Sequence, residues 1–283
     1  MRWLDGRLHA GSVAPFDLAD RGLLLGDGVF DTALALHGRF YREAEHVARL
    51  VASAQALGFP LDPGTVATAM RAVAAGHPRA AVRTTATRGA GPRGLRPPQT
   101  PRPTLMASAA PLDPGPAFAP LSLHPTGIRR NDTSPASRHK TLGYLDAVLA
   151  AEEAARAGCD EALFLNTRGQ VACAGTGNLF ALFGDTLVTP PLADGVLPGI
   201  IRAAVLGLAP ALGLTAAERS LTPAALEAAD ALFVTNSLRL IAPVSGLGGR
   251  SRASAAHPGL RRLIEALRAD IAAACGADPV ARA

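Results

Sequence analysis

Apolar residues recur three and four apart through the forties and fifties of the chain. Val47, Leu50, Val51, Ala54 and Leu57 mark one face and Gly58 closes the run, so the spacing predicts a helix over 43–57. Upstream, 30–36 reads as a strand, His37-Gly38 as a turn and Phe40-Tyr41 as the entry to a second strand. Pro63 opens another helix over about 65–75, 80–87 reads as a strand, and 105–109 as a short one. Gly and Pro crowd 89–103, which predicts a loop. Four prolines and a glycine fall within 111–120, a stretch that can neither coil nor pair easily. It is the candidate linker between a smaller N-terminal domain, 1–110, and a larger C-terminal one, 121–283. In the second half, helices are predicted over 142–157, 200–208 and 260–274. Strands are predicted over 161–166, 178–183, 186–189 and 231–235, with a hairpin-like turn at 167–170. Strands outnumber what long βαβ alternation would need, so the fold class expected is α+β. No internal repeat is visible.

At 283 residues and 48% hydrophobic content the chain can bury a sizeable core, as one large domain or two smaller ones. The net charge of +5 comes from scattered arginines with no basic run or aromatic interleaving. A solvated arginine surface accounts for it better than a nucleic-acid partner. Cys159, Cys173 and Cys275 form neither a C-x-x-C pair nor a metal-ligand spacing, which fits reduced thiols and no metal site. The start of the chain shows no apolar signal region, and no uncharged apolar run reaches the roughly 18 residues of a membrane span. A cytoplasmic protein with no membrane partner is expected.

One residue changes the picture. Among 28 Lys plus Arg, Lys140 is the single lysine. Arginine replaces lysine wherever a positive charge suffices, but not where an amine must lose its proton and attack a carbonyl. Lys140, in Ser137-Arg138-His139-Lys140-Thr141, is therefore either a leftover surface charge or an amine kept for chemistry.

The motifs around it bear on that choice. They begin with Arg21-Gly22-Leu23, Gly26-Asp27-Gly28-Val29-Phe30-Asp31-Thr32 and His46-Val47-Ala48-Arg49-Leu50. Thr87-Arg88-Gly89 and Pro92-Arg93-Gly94 follow, then His139-Lys140-Thr141-Leu142-Gly143-Tyr144 and Gly158-Cys159-Asp160-Glu161-Ala162. The last are Gly177-Asn178-Leu179-Phe180, Leu197-Pro198-Gly199-Ile200-Ile201-Arg202 and Thr235-Asn236-Ser237-Leu238. In this order, over about residues 20–245, the chain resembles the class IV aminotransferases, the fold-type IV pyridoxal-phosphate enzymes. The resemblance implies a two-domain fold with a small N-terminal α/β domain and a larger C-terminal domain built on a β-barrel-like core. It implies pyridoxal 5′-phosphate as cofactor, and a homodimer in which the small domain of one subunit closes the site of the other.

The same resemblance gives roles to residues. Lys140 would form the Schiff base with the cofactor and move the substrate Cα proton. Arg49 would grip the phosphate, for which a guanidinium fork is suited; read alone, it is a surface arginine on an amphipathic helix. Backbone N–H groups of Ile200 and Ile201, at a helix start, would face the same phosphate. Asn236 and Ser237 would complete its shell or simply form a turn. Tyr144, taken as one helical turn beyond Lys140, would meet the ring 3′-oxygen or serve as a core tyrosine.

One position departs from the family. A glutamate usually stands five residues before the asparagine of the Asn-hydrophobic-Phe motif and pairs with the protonated ring nitrogen. Here that position is Cys173, and a thiol cannot hold a pyridinium as a carboxylate does. Either Cys173 faces a largely neutral ring or an acid reaches in from elsewhere; a small buried side chain is the bland alternative.

Substrate residues divide the family. D-amino-acid aminotransferases bind the substrate carboxylate with Tyr, Arg and His, matched here by Phe30, Arg93 and Leu95, so only the arginine survives. Residues 87–94 and 235–238 resemble 4-amino-4-deoxychorismate lyases more than branched-chain aminotransferases. The expectation is therefore a lyase that eliminates pyruvate to leave 4-aminobenzoate, with Arg93 and Arg88 holding carboxylates. An aminotransferase of D- or branched-chain amino acids, and a cofactor-binding protein with little turnover, are the alternatives.

Overall fold

In the computed structural model, which describes residues 1–281, the chain opens with a hairpin of β1 (Arg2–Leu4) and β2 (Arg7–His9). A short helix, α1 (Arg21–Leu25), follows, its first turn capped by the Asp20 carboxylate. β3 (Gly28–Leu36) pairs antiparallel with β4 (Arg39–Phe40) and, after α2 (Glu43–Ala56) and α3 (Pro63–Ala74), with β5 (Arg79–Thr87). β6 (Thr104–Pro111) joins β5 to β1 in one sheet of order β2-β1-β6-β5-β3-β4.

β3 is covered on both faces, and the period of two sorts its side chains. Val29, Ala33 and Ala35 pack under α2 and α3 with Leu50, Ala54, Val66 and Val73. Leu34 and Leu36 point the other way, into a core shared with Ile201, Val205, Leu263 and Leu267 from the second half of the chain. That parity reaches the polar end of the strand. Phe30 and Thr32 share the side of Leu34, while Asp31 faces α2.

The second half is built on β7 (Leu121–Arg130), α4 (Leu145–Arg156), β8 (Glu161–Asn166), β9 (Val171–Ala174), β10 (Asn178–Phe183) and β11 (Thr186–Thr189). α5 (Ile200–Leu208), β12 (Thr215–Glu218), α6 (Pro223–Ala228), β13 (Ala231–Asn236), β14 (Leu240–Leu247), β15 (Arg250–Ser251) and α7 (Pro258–Cys275) complete it. The sheet runs β12-β11-β10-β13-β14-β7-β8-β9, and Asn178 of β10 pairs back to Cys173 of β9. This pairing closes a barrel of β10, β13, β14, β7, β8 and β9, as expected for the α+β fold-type IV architecture. Leu121, Leu163, Val171, Leu179, Val234 and Val244 fill one of its cores.

Two sequence expectations change. The first hairpin, α1, β7, β9, β12, α6, β14 and β15 were not anticipated. β7 and β14 carry Pro125 and Pro243, which read as breakers, yet β7 accommodates its proline at a register shift in its parallel pairing with β8. The helix expected over 142–157 starts only at Leu145, because residues 140–142 are held by β3. Phe30 N donates to Lys140 O at 2.8 Å and Leu142 N to Gly28 O at 3.1 Å.

Candidate active site

Those two hydrogen bonds place Lys140. Its segment lies extended along β3 with a bridge between Val29 and Thr141, so the side chain emerges beside Phe30. Lys140 Nζ donates to the Tyr144 hydroxyl at 2.9 Å and lies 4.4 Å from the Phe30 ring centroid. The Tyr144 ring meets Phe30 edge-on at 5.0 Å. Tyr144 is the residue just before α4, so the contact with Lys140 comes from a bend rather than from one turn of helix, which corrects the sequence reading. Arg83, on β5 opposite Thr32, sets its guanidinium 3.7 Å from the Phe30 centroid.

These groups border a cavity of about 520 Å³ between the first sheet and the barrel. Arg49 stands at one end. Its Nε and Nη2 donate to the two oxygens of Asp31 at 2.7 and 2.9 Å, and Nη1 donates to Pro198 O at 3.1 Å. His46 Nδ1 lies 2.6 Å from Asp31 Oδ1. The helix period places His46 and Arg49 on one face of α2, and the strand period turns Asp31 toward that face. Burial pushes the Asp31 carboxyl up, but the Arg49 charge and the His46 hydrogen bond outweigh it and bring it down to about 2. Three of the five guanidinium N–H groups are used in this way, and two remain for a ligand.

The start of α5 lies beside Arg49. Ile200 and Ile201 bury their side chains, and their backbone N–H groups, in the first turn, have no acceptor within the helix. Gly199 precedes them so close to Asn178 that a Cβ would collide with its side-chain oxygen. Asn178 Nδ2 in turn donates to Leu197 O at 2.9 Å and fixes the loop. Asn236 and Ser237 border the same cavity. Asn236 Oδ1 accepts from Leu238 N and Arg239 N at 3.0 and 2.7 Å, and its Nδ2 donates to Thr176 Oγ1 at 3.2 Å. Thr176 is held through its hydroxyl and backbone N–H by Glu161, a buried carboxyl that burial pushes up. Beside Asn236, the buried Thr235 hydroxyl lines the cavity with no hydrogen-bond partner.

Cys173 borders the cavity from β9 and approaches Arg130, its Sγ 3.6 Å from the guanidinium Nη2. Arg49, Arg83, Arg130, Lys140 and Arg239 all line the space, and among the described residues no carboxylate does.

Two expected substrate residues lie elsewhere. Arg88 does not reach the cavity: its Nε donates to Asp27 at 2.8 Å, and its Nη1 and Nη2 to Gly58 O and Leu57 O at 3.0 and 2.6 Å. With all three nitrogens engaged in joining α1, α2 and the 89–103 loop, it is a structural tie. Arg93 is exposed on that loop and does not line the cavity of its own chain. Sequence reasoning missed Arg83, Arg130, Arg239, Thr176 and the Asp31–His46 pair. Only Asp31 and His46 gave a usable signal, since each lies inside a motif already singled out.

The family described as amino-transferase class IV matches residues 28–247. A provisionally named branched-chain-amino-acid aminotransferase of Methanocaldococcus jannaschii is 35% identical over 256 residues, 88% of each chain. The branched-chain aminotransferase of Thermoproteus uzoniensis, solved with norvaline, superposes with a TM-score of 0.88 at 28% identity, covering 97% of this chain and 94% of that one. A provisionally named 4-amino-4-deoxychorismate lyase of Legionella pneumophila superposes with a TM-score of 0.84 at 29% identity, covering 91% and 96%.

Proposed function

The chain belongs to the class IV aminotransferase family and is a pyridoxal-phosphate-dependent enzyme, and from that premise we propose that it transfers amino groups between an apolar α-amino acid and a dicarboxylic 2-oxo acid. The observation that carries the proposal is the single lysine of the chain, held against Tyr144 in a cavity with an anion-binding end and no carboxylate. The residues present fit the cofactor. Arg49, the first N–H groups of α5 and the unpartnered Thr235 hydroxyl would hold its phosphate, with Asn236 and Ser237 beside them. Bound there, pyridoxal phosphate supplies an aldehyde that condenses with amines and a ring that draws electrons from the substrate Cα.

The chain's own residues do the rest. The Lys140 amine would hold the cofactor at its aldehyde carbon and would carry the proton taken from the substrate Cα. Tyr144, by its hydrogen bond, keeps that amine in place. Arg83 and Arg239 would hold substrate carboxylates, and Leu112, Pro116 and Leu238 would exclude water and receive an apolar side chain. The relative from Methanocaldococcus jannaschii supports amino transfer over the lyase expectation. The lyase reading remains the alternative, favoured by the Legionella pneumophila likeness and by enough free arginines for a substrate with two carboxylates.

We also propose a homodimer in a reducing, cytoplasmic setting. Leu23, Leu24 and Leu25 of α1 and Leu145, Val148 and Leu149 of α4 are all at least 47% exposed. α1 ends at Gly26, against Gly143 just before α4, so the two groups adjoin. A second copy of the chain would cover them. Exposed Arg93 could then act only across such an interface.

Borohydride reduction followed by peptide mapping should find the pyridoxyl group on Lys140; a label elsewhere overturns the assignment. Loss of the visible cofactor band on mixing with branched-chain amino acids supports transamination. A band that amino acids leave unchanged, with pyruvate released from aminodeoxychorismate, selects the lyase. Light scattering should give a dimer that Leu145→Asp dissociates, and an active wild-type monomer would refute that part.

A further inference from the structure

The wall of the cavity formed by β7, β8 and β9 carries a pair that neither the proposed reaction nor the fold accounts for. Arg130 closes β7, Phe164 lies on β8 and Cys173 on β9. The Arg130 guanidinium lies 4.9 Å from the Phe164 ring centroid and reaches the Cys173 sulfur, while its buried Nε has no partner. Tyr144 and Asp146 lie near enough to act on its charge, but among the described residues no carboxylate forms a salt bridge with it. A charged donor is thus held at the cavity wall, in contact with a thiol and an aromatic face and paired with no carboxylate among the described residues.

Its position bears on one atom of the cofactor. Lys140 is tied through its backbone to β3, on the first-sheet side, whereas Arg130 and Cys173 belong to the barrel side. In pyridoxal phosphate the ring nitrogen is para to the carbon bearing the aldehyde, so it points away from the amine that binds that carbon. Protonating this nitrogen creates a cation. A neighbouring carboxylate would favour that cation, and a neighbouring guanidinium disfavours it. A guanidinium can only donate hydrogen bonds, so it is satisfied by a nitrogen that keeps its lone pair.

We infer that Arg130, seated beside Cys173, keeps the ring nitrogen of bound pyridoxal phosphate unprotonated. The inference rests on the cofactor reading above and adds a positioning residue that sets the electronics of the ring. A neutral ring withdraws fewer electrons, so this chain leaves more of the work of removing the Cα proton to Lys140.

The test is nitrogen NMR of holoenzyme reconstituted with pyridoxal phosphate isotopically labelled at the ring nitrogen. The visible absorption of the lysine-bound cofactor is recorded on the same samples. Wild type at neutral pH should show the resonance at the neutral-pyridine position. Arg130→Met, which removes the charge, and Cys173→Glu, which gives Arg130 a carboxylate partner, should each move it toward the pyridinium position. A wild-type resonance already at the pyridinium position overturns the inference, and its loss in Cys173→Ala would transfer the role to a thiolate. An unmoved resonance in a cofactor-loaded Arg130→Met protein overturns it as well. Absence of the lysine-bound band in wild type strikes the cofactor reading itself, so the two failures are distinguishable. Because a wild-type resonance at the pyridinium position is enough to overturn it, the inference stays falsifiable even if a variant does not fold.

Discussion

The two ends of the cavity handle positive charge in opposite ways. At the α5 end all three nitrogens of Arg49 are engaged, by a buried carboxylate and a carbonyl, before any ligand arrives. Around the rest of the space, Arg83, Arg130 and Arg239 have no salt-bridge partner among the described residues, and the only side-chain hydrogen bond of the three is to a sulfur. The first arrangement fixes geometry, so an anion would bind there with little reorganisation. The second leaves positive charge with no carboxylate of the chain beside it, so on the proposed function the carboxylates of a substrate would be met at that end.

The largest effect should fall on the amine between the two ends. Lys140→Ala should lower kcat at least about 10³-fold, because both nucleophile and proton carrier are lost. The thermal midpoint without cofactor should barely move, since the amine is only half-buried. A variant that keeps wild-type turnover with its natural substrate would break the whole scheme.

A smaller effect, on stability, separates the paired end from the unpaired one. Asp31→Ala leaves Arg49 as a nearly buried charge and should cost about 3–5 kcal/mol in urea denaturation. The pH dependence has a definite sign. Because the folded-state value of Asp31, about 2, lies below the unfolded value of about 3.9, its stabilisation is fully present above the latter. It is lost as pH falls through the former. Asp31→Asn should therefore flatten the acid limb of the stability curve in that window; an unchanged limb would mean that other carboxylates control it.

The smallest effect belongs to the unpaired end. Arg83→Met should raise KM for a dicarboxylic 2-oxo acid about tenfold, the size of one charged hydrogen bond. Stability should barely change, because Arg83 is exposed and its guanidinium rests on the Phe30 ring without a salt bridge. Steady-state kinetics with mono- and dicarboxylic 2-oxo acids would show the difference. An equal change for both would place Arg83 at the carboxylate common to all substrates.

Much of the site was legible because its parts are local. Lys140 stood out by composition, Arg49 lies on a helix with a plain period, and Ile200 begins a helix after Pro198-Gly199. Local reading failed where a side chain's role depends on what crosses it. Arg88 carried a promising motif, yet Asp27 and two carbonyls at the end of α2 hold its guanidinium outside the cavity. Arg83 and Arg130 sit on strands with no motif, and only the facing of the two sheets turns them into one cavity. The proline-rich 111–120 stretch read as a mere connection, but Leu112 and Pro116 help to wall the site.

The sequence by itself determined the α+β class, most helices, the single lysine and, through the family resemblance, the cysteine where a glutamate is usual, since these depend on residue type and short-range spacing. Tertiary structure alone decided that β9 pairs back to β10, that residues 140–142 are held extended by β3 instead of coiling, and that Arg130 rather than a carboxylate stands beside Cys173. Each of these is a contact between elements far apart in the chain. Burial can make such a contact outweigh local preference, and no short-range pattern encodes it.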